Sequence, residues 1–287
     1  MRVAAVQTTA TDDRNQNLEA AAQLVARAAD DGATLVALPE YFSVAGSPAV
    51  LRRDAEPLEG PTTTWARELA SRLGIWLLAG TFPESGGTSD DDATRVHNTS
   101  CLVDPHGTIA ATYRKIHLFD VSVEGAEFRE SDTIAPGDSP VVAPLADGPR
   151  LGLSICYDLR FPELYRTLAL GGATVVAVPS AFTAVTGPPH WELLLRARAV
   201  EDGVFVLAPG QVGRLPAGMP ACHGHSMIVD PWGTVLAERF EPTPGVVLAD
   251  LDLHEVERVR RELPVLANRR PDAYRWPNDN GECRIDH

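Results

Sequence analysis

Apolar residues in this chain fall into short, almost continuous runs. Longer stretches with helical spacing separate them. The runs predict strands at 3–8, 34–38, 75–81, 99–103, 108–113, 151–155, 174–178, 204–208, 226–229, 234–237 and 245–251. The 3.6-residue pattern predicts helices at 15–29, 62–73, 162–170, 190–202 and 254–263. The strand runs are rich in Val, Ile, Leu and Ala and lack strict polar alternation. Such strands belong in sheets covered on both faces. Pro- and Gly-rich stretches at 83–87, 135–148 and 213–220 read as surface loops.

The pattern repeats. Gly32-Ala-Thr-Leu-Val-Ala-Leu-Pro-Glu40 matches Gly172-Ala-Thr-Val-Val-Ala-Val-Pro-Ser180 at six of nine positions. Val103-Asp-Pro-His-Gly-Thr108 matches Val229-Asp-Pro-Trp-Gly-Thr234 in the same order, each a hairpin turn between apolar runs. Arg2-Val-Ala-Ala-Val faces Arg150-Leu-Gly-Leu-Ser. The expectation is an α/β fold of two pseudo-symmetric halves, packed sheet on sheet with helices outside, as a four-layer αββα sandwich. Residues 1–267 read as one domain, and 268–287 as a polar tail packing on it or on a neighbouring subunit.

Composition narrows the classes. The formal net charge is −14, which repels phosphate backbones and anionic lipid, so no nucleic acid or membrane partner is expected. Four cysteines, at 101, 156, 222 and 283, form no CxxC pair, which points away from a disulfide framework and towards a reducing cytoplasm. No apolar run approaches the roughly 20 residues that span a bilayer. Of 25 basic residues, 24 are Arg and one is Lys. Lys115 therefore stands out, because an ammonium is a compact donor where Arg is a planar fork.

Three residue types suited to nucleophilic chemistry lie at the C-terminal ends of predicted strands. Cys156 follows an apolar strand and precedes a helix starting near Pro162, so its thiol is expected to be exposed at a bend. Tyr157, Asp158 and Arg160 look too polar for deep core. Glu40 ends an apolar strand, and partial burial suits it to general base work. Lys115 can supply a cation to a thiol or an oxyanion.

The segments Leu38-Pro-Glu-Tyr-Phe42, Tyr113-Arg-Lys-Ile-His-Leu118 and Ser154-Ile-Cys-Tyr-Asp-Leu-Arg-Phe-Pro-Glu163 resemble the three catalytic blocks of the nitrilase superfamily of carbon–nitrogen hydrolases. The resemblance covers nearly the whole chain. It is nearest to the branch holding deaminated glutathione amidase and omega-amidase. It implies the αββα fold, a Glu40–Lys115–Cys156 triad, and a homodimer or larger homo-oligomer. A second carboxylate is also implied, placed at Glu130 with Glu127 as the alternative. The activity implied is hydrolysis of a linear amide through a thioester, releasing ammonia, with neither metal nor cofactor. Tyr157, Arg160, Arg129, Phe182 and Thr183 are the expected substrate contacts, the two arginines being suited to a substrate carboxylate. Departures from the pattern are Ser122 for Asp, Pro189 for Ala and Cys222-His223 for Tyr.

The sequence leaves other readings open. Nitrile and N-carbamoyl hydrolysis use the same triad. A papain-like pairing with one of eight histidines lacks a local signature. A non-catalytic binding protein on this fold is the reading from another class. Cys222, His223 and His225 cannot readily all face one metal ion.

Overall fold

The two Gly-Ala-Thr segments fold alike. Gly32 and Gly172 leave their helices with φ of 88° and 90°, in the left-handed region that glycine adopts without a Cβ clash. The N–H groups of Thr34 and Thr174 then donate to Arg2 and Arg150 carbonyls, each at 2.9 Å. The paired turns also match. Asp104 Oδ1 accepts from the His106 and Thr108 N–H groups at 2.9 and 2.8 Å, and Asp230 Oδ1 from Trp232 and Thr234 at the same distances.

The computed structural model describes residues 1–86, 95–123, 126–146, 148–216 and 219–273. The first half runs β1 (Arg2–Gln7), α1 (Arg14–Asp30), β2 (Leu35–Ala37), α2 (Pro48–Arg53), α3 (Pro61–Leu73), β3 (Trp76–Ser85), β4 (Val96–Val103) and β5 (Ile109–Arg114). A hairpin follows, β6 (Asp120–Val123) with β7 (Ala126–Arg129). The strand β8 (Val141–Pro144) leads on to the second half, which runs β9 (Arg150–Leu153), α4 (Pro162–Leu170), β10 (Val175–Ala177), α5 (Gly187–Asp202), β11 (Phe205–Ala208), β12 (Val212–Gly213), β13 (Cys222–His223), β14 (Met227–Val229) and β15 (Val235–Glu238). The strand β16 (Gly245–Asp250) and the helix α6 (His254–Glu262) complete the described elements.

Two six-stranded sheets form, in the orders β16-β1-β2-β3-β4-β5 and β15-β14-β11-β10-β9-β8. Within each, the first three strands of a half are parallel and the next two antiparallel. The strand that follows each half crosses over. β8 pairs antiparallel with β9 in the second sheet, and β16 pairs antiparallel with β1 in the first.

Burial explains why the strands read as continuous apolar runs. Val3 and Ala5 of β1 face an inter-sheet core shared with Leu151, Leu153 and Phe205. Ala4 and Val6 face the other way, against Leu18, Ala21 and Val25 of α1 and Leu69 of α3. Both faces are dry, so alternation between apolar and polar residues disappears. On α1 the buried Leu18, Ala21, Val25 and Ala28 keep three- and four-residue spacing, and Asp13 caps the helix by accepting from the Gln16 N–H at 3.1 Å. The αββα sandwich with repeated halves is thus the observed architecture.

Several local expectations need correction. The stretch 135–148 is not all loop, because Val141–Pro144 is the edge strand β8. Pro83 lies inside β3 opposite Asn98, where its carbonyl accepts from the Glu56 N–H at 3.0 Å. The stretch 213–220 begins within β12. The helix α2 and the β6–β7 hairpin are additions that the hydrophobic pattern does not predict. Residues 274–287, most of the proposed tail, lie outside the described residues, as does Cys283. Among the described residues no helix is long and apolar enough to cross a membrane.

One close approach in the first sheet fixes the backbone beside Glu40. Gly80 of β3 lies against the chain leading to that residue. A Cβ there would overlap the Pro39 carbonyl oxygen and crowd that of Leu38. Overpacking of this kind costs about 1–3 kcal/mol. Gly80→Ala should therefore lower the melting temperature by roughly 2–10 °C in a thermal denaturation scan; an unchanged or raised value would contradict this packing.

Candidate active site

Glu40 is placed by the end of β2 and a strained turn. Its backbone carbonyl accepts from Gln211 Nε2 at 3.0 Å, and the next residue, Tyr41, has φ of 57°. The Tyr41 N–H donates to Thr81 Oγ1 at 2.8 Å. The Glu40 carboxylate is buried. Its Oε1 accepts from Lys115 Nζ and Asn98 Nδ2, both at 2.9 Å, and its Oε2 accepts from the Ala181 N–H at 2.8 Å. The last contact comes from the other half of the molecule.

Lys115 stands one residue beyond β5 and is 2% exposed. Its N–H donates to the Asn98 carbonyl at 3.0 Å, prolonging the ladder with β4. Its Nζ lies 2.9 Å from Glu40 Oε1, and 3.0 and 2.9 Å from the two oxygens of Glu130. Burial works to discharge the ammonium, but Glu130 and then Glu40 outweigh it and hold its pKa well above the usual lysine value. Glu130 begins a 3-10 turn after β7. It also accepts from Tyr41 Oη at 2.9 Å and from the Phe119 N–H at 2.6 Å. Glu127 is exposed and reaches only the rim of the cleft.

Cys156 opens a 3-10 turn after β9, with φ of 46°. Its N–H donates to the Pro179 carbonyl at 2.9 Å. The thiol is buried, at 9% exposure, which corrects the expectation of an exposed bend. Its pKa is raised well above the usual value, first by burial and then by the Glu40 charge, with Lys115 opposing. The resting sulfur is therefore a thiol.

Asp158 also departs from expectation, being fully buried. Its Oδ2 accepts from Tyr113 Oη at 2.7 Å and the Ile155 N–H at 2.8 Å, while Oδ1 accepts from the His117 N–H at 3.1 Å and lies 2.7 Å from His117 Nδ1. One carboxylate thus ties the cysteine turn to the segment after Lys115. Its polarity is no sign of exposure, since every buried polar group needs partners and this one has them. Arg198 secures the other side of the turn, donating from Nε and Nη2 to the Leu159 carbonyl at 3.1 and 2.9 Å.

These groups open onto a cleft of about 240 Å³ lined by Glu40, Lys115, Glu130, Cys156, Tyr157, Arg160, Phe182, Thr183 and Arg129. The catalytic and substrate-contact residues expected from the sequence all line it, whereas His223 and His225 do not. Tyr157 takes the second position of the 3-10 turn, where a backbone N–H lacks a partner within the turn. The Arg160 guanidinium lies 5.4 Å from the Phe182 ring centre and 6.0 Å from that of Tyr157, with Nη2 3.3 Å from His190 Nδ1. Arg129 is exposed at the rim. Sequence reasoning misses Asn98, Tyr41, Asp158, Gln211 and Arg198. Cys222 also lines the cleft, and burial pushes its thiol up to about 12.

The chain is similar to known proteins over nearly its whole length. The carbon-nitrogen hydrolase family profile matches residues 2–261. The chain is 44% identical over 277 residues to deaminated glutathione amidase of Bos taurus, covering 95% of this chain and 83% of that protein. It is 38% identical over 276 residues to the omega-amidase of Homo sapiens, covering 95% and 96%. Its fold matches an amidase from Nesterenkonia sp. AN1 with a TM-score of 0.78 at 30% identity, covering 95% of each chain. That amidase is of the nitrilase superfamily, and a mutant of it carries the acetamide moiety of fluoroacetamide covalently added at the active site cysteine. With the match running through both sheets and every element that lines the cleft, the chain belongs to the carbon–nitrogen hydrolase family of the nitrilase superfamily.

Proposed function

We propose that this enzyme hydrolyses the C–N bond of a linear amide through a thioester on Cys156, with Glu40 as base, Lys115 facing the oxyanion and Glu130 holding Lys115. The observation that carries the reading is one buried ammonium set between two carboxylates, on a cleft that the buried Cys156 thiol also lines. The relatives named deaminated glutathione amidase and omega-amidase support amide hydrolysis for this chain too.

The charge balance favours general base catalysis over a standing thiolate. Two carboxylates and one ammonium sum to one negative charge, and ionising Cys156 at rest would add a second. The proton is therefore transferred as the sulfur attacks. The S–C bond forms, the carbonyl π pair moves onto oxygen, and the thiol proton passes to Glu40. Lys115 and the Tyr157 N–H face the new oxyanion; such a donor is worth about 3 kcal/mol in the transition state. Collapse of the tetrahedral intermediate expels the amine, protonated from Glu40, as ammonia when the amide is primary. Water then gives a proton to Glu40 as it attacks the thioester, and the carboxylic product leaves with Cys156 restored to a thiol.

Arg160 supports a carboxylate on the substrate. Its guanidinium faces the cleft beside two aromatic rings and makes no ion pair among the described residues. Arg129 offers a second cation at the rim. Residues 1–267 as a single hydrolase domain belong to the same proposal, as does assembly into a homodimer or larger homo-oligomer. The exposed Leu193 and Val200 on α5 favour an interface there.

Cys156→Ala should abolish turnover while leaving the melting temperature near wild type; retained hydrolysis by this variant would sink the assignment. Lys115→Arg keeps the charge and loses the fit, so kcat/KM should fall by about 100- to 1000-fold. Arg160→Gln should raise KM for carboxylate-bearing amides by roughly tenfold or more and leave neutral amides unaffected. Equal effects on both substrate types would remove Arg160 from carboxylate binding.

A further inference from the structure

Glu130 carries an unusual load of donors. Lys115 Nζ reaches both of its oxygens, Tyr41 Oη donates to Oε1 at 2.9 Å, and the Phe119 N–H donates to Oε2 at 2.6 Å. An ionised carboxylate has about four acceptor positions, so Glu130 is saturated. Glu40 accepts three bonds, two at Oε1 and one at Oε2, and keeps one position open. The two carboxylates share one ammonium but are unequal as proton acceptors.

Tyr41 supplies the difference that a side chain can supply. It is buried, and burial followed by the Glu130 charge keeps its phenol protonated. It therefore donates to Glu130 throughout. Its backbone lies in the left-handed region, which L residues adopt reluctantly and which persists where the surroundings fix it. Thr81 and Gln211 hold the two sides of the Glu40–Tyr41 peptide from buried positions. This one turn aims two neighbouring residues at the same ammonium, Glu40 directly and Tyr41 by way of Glu130.

We propose that Tyr41 is a positioning residue that decides which carboxylate takes the proton: by donating to Glu130 it keeps that group ionised and leaves Glu40 as the acceptor from Cys156. The step balances, with the proton leaving sulfur for Glu40 while Glu130 gains and loses none. Were Glu130 protonated instead, it would give up part of its hold on Lys115 at the moment the oxyanion forms. The charged and titratable groups around Glu130 are Lys115 and Glu40 behind it, Cys156 and Tyr41 beside it, and Arg129 and Asp132 flanking it in sequence. Asp120 on β6, which accepts from the Ser131 N–H at 3.0 Å, Arg52 on α2, which donates to the Asp132 carbonyl at 2.9 Å, and Glu127 on β7 are the others nearby among the described residues.

The inference rests on Glu40 being the base, and the test separates the two claims. Tyr41→Phe removes only the donor. Hydrogen bonds to the charged form of a carboxyl lower its pKa, so losing one raises it. The acid limb of the kcat/KM profile, read by product release from a primary amide between pH 5 and 9, should move to higher pH by on the order of one unit. At the optimum kcat should fall roughly 10- to 100-fold, with KM changed far less. The pH dependence of Cys156 alkylation by iodoacetamide gives the same limb without needing turnover. Replacing Tyr41 with 3-fluorotyrosine keeps the size and strengthens the donor, so the limb should move the opposite way; this variant decides the matter if Tyr41→Phe does not melt cooperatively. An acid limb that stays in place in the folded variant overturns the inference, whatever happens to kcat. If instead Glu40→Gln keeps wild-type turnover, it is the assignment of Glu40 as base that fails.

Discussion

A lysine ammonium removed from water between two carboxylates is the constraint from which the rest of this site derives. Burying each ion carries a penalty of several kcal/mol, and removing one partner of a buried pair costs about 3–5 kcal/mol. Such a cluster persists only when its remaining lone pairs are occupied. That requirement accounts for Asn98 and Ala181 against Glu40, and for Tyr41 and Phe119 against Glu130. It draws together the ends of β2, β4 and β5, the hairpin after β5, and a backbone amide from the second half. Burial, and after it the Glu40 charge, in turn keeps the neighbouring thiol protonated at rest. Acid–base behaviour and packing are here one problem with one solution.

Much of this is legible in the sequence. Glu40, Lys115 and Cys156 each end an apolar strand run, and strand ends are where side chains can leave the core for a cleft. The Gly-Ala-Thr and Asp-Pro-x-Gly repeats announce two halves because their turns demand particular residues at fixed offsets. What stays hidden is non-local. Asn98 sits near the start of an ordinary strand, and only the pairing of β4 with β3, and of β3 with β2, brings it to Glu40. Asp158 looks like a mark of exposure because polarity in one dimension carries no record of partners, and its partners at Tyr113, Ile155 and His117 lie up to 45 residues away. Edge strand β8 is masked by the Pro and Gly around it, which an edge tolerates and a central strand does not.

The repeat also shows where the halves part company. Strand registers equate Val3 with Leu151 and Leu35 with Val175, so Cys156 corresponds to Thr8 and Glu40 to Ser180. The Arg239 N–H donates to the Ser226 carbonyl at 3.0 Å, as that of Lys115 does to Asn98. The frame is therefore built twice, with a thiol, a carboxylate and an ammonium gathered in only one copy. Thr8 contributes otherwise, donating to Gln211 Oε1 at 3.1 Å, and Gln211 in turn holds the Glu40 carbonyl.

The crossing of β8 and β16 reaches beyond the cleft. The strand that closes the second half joins the first half's sheet, so that sheet is not complete within one contiguous stretch of chain, whereas the other runs unbroken from β8 to β15. The edge of β1 is covered by a strand that sets Asp250 opposite Arg2, 248 residues further along the chain. Pairing across so long a loop must wait until most of the polypeptide has been made, and it favours slow, all-or-none assembly over piecewise growth. A ribosome-bound first half carries a bare β1 edge until its partner strand emerges, which makes the nascent chain, rather than the finished enzyme, the form most exposed to mispairing.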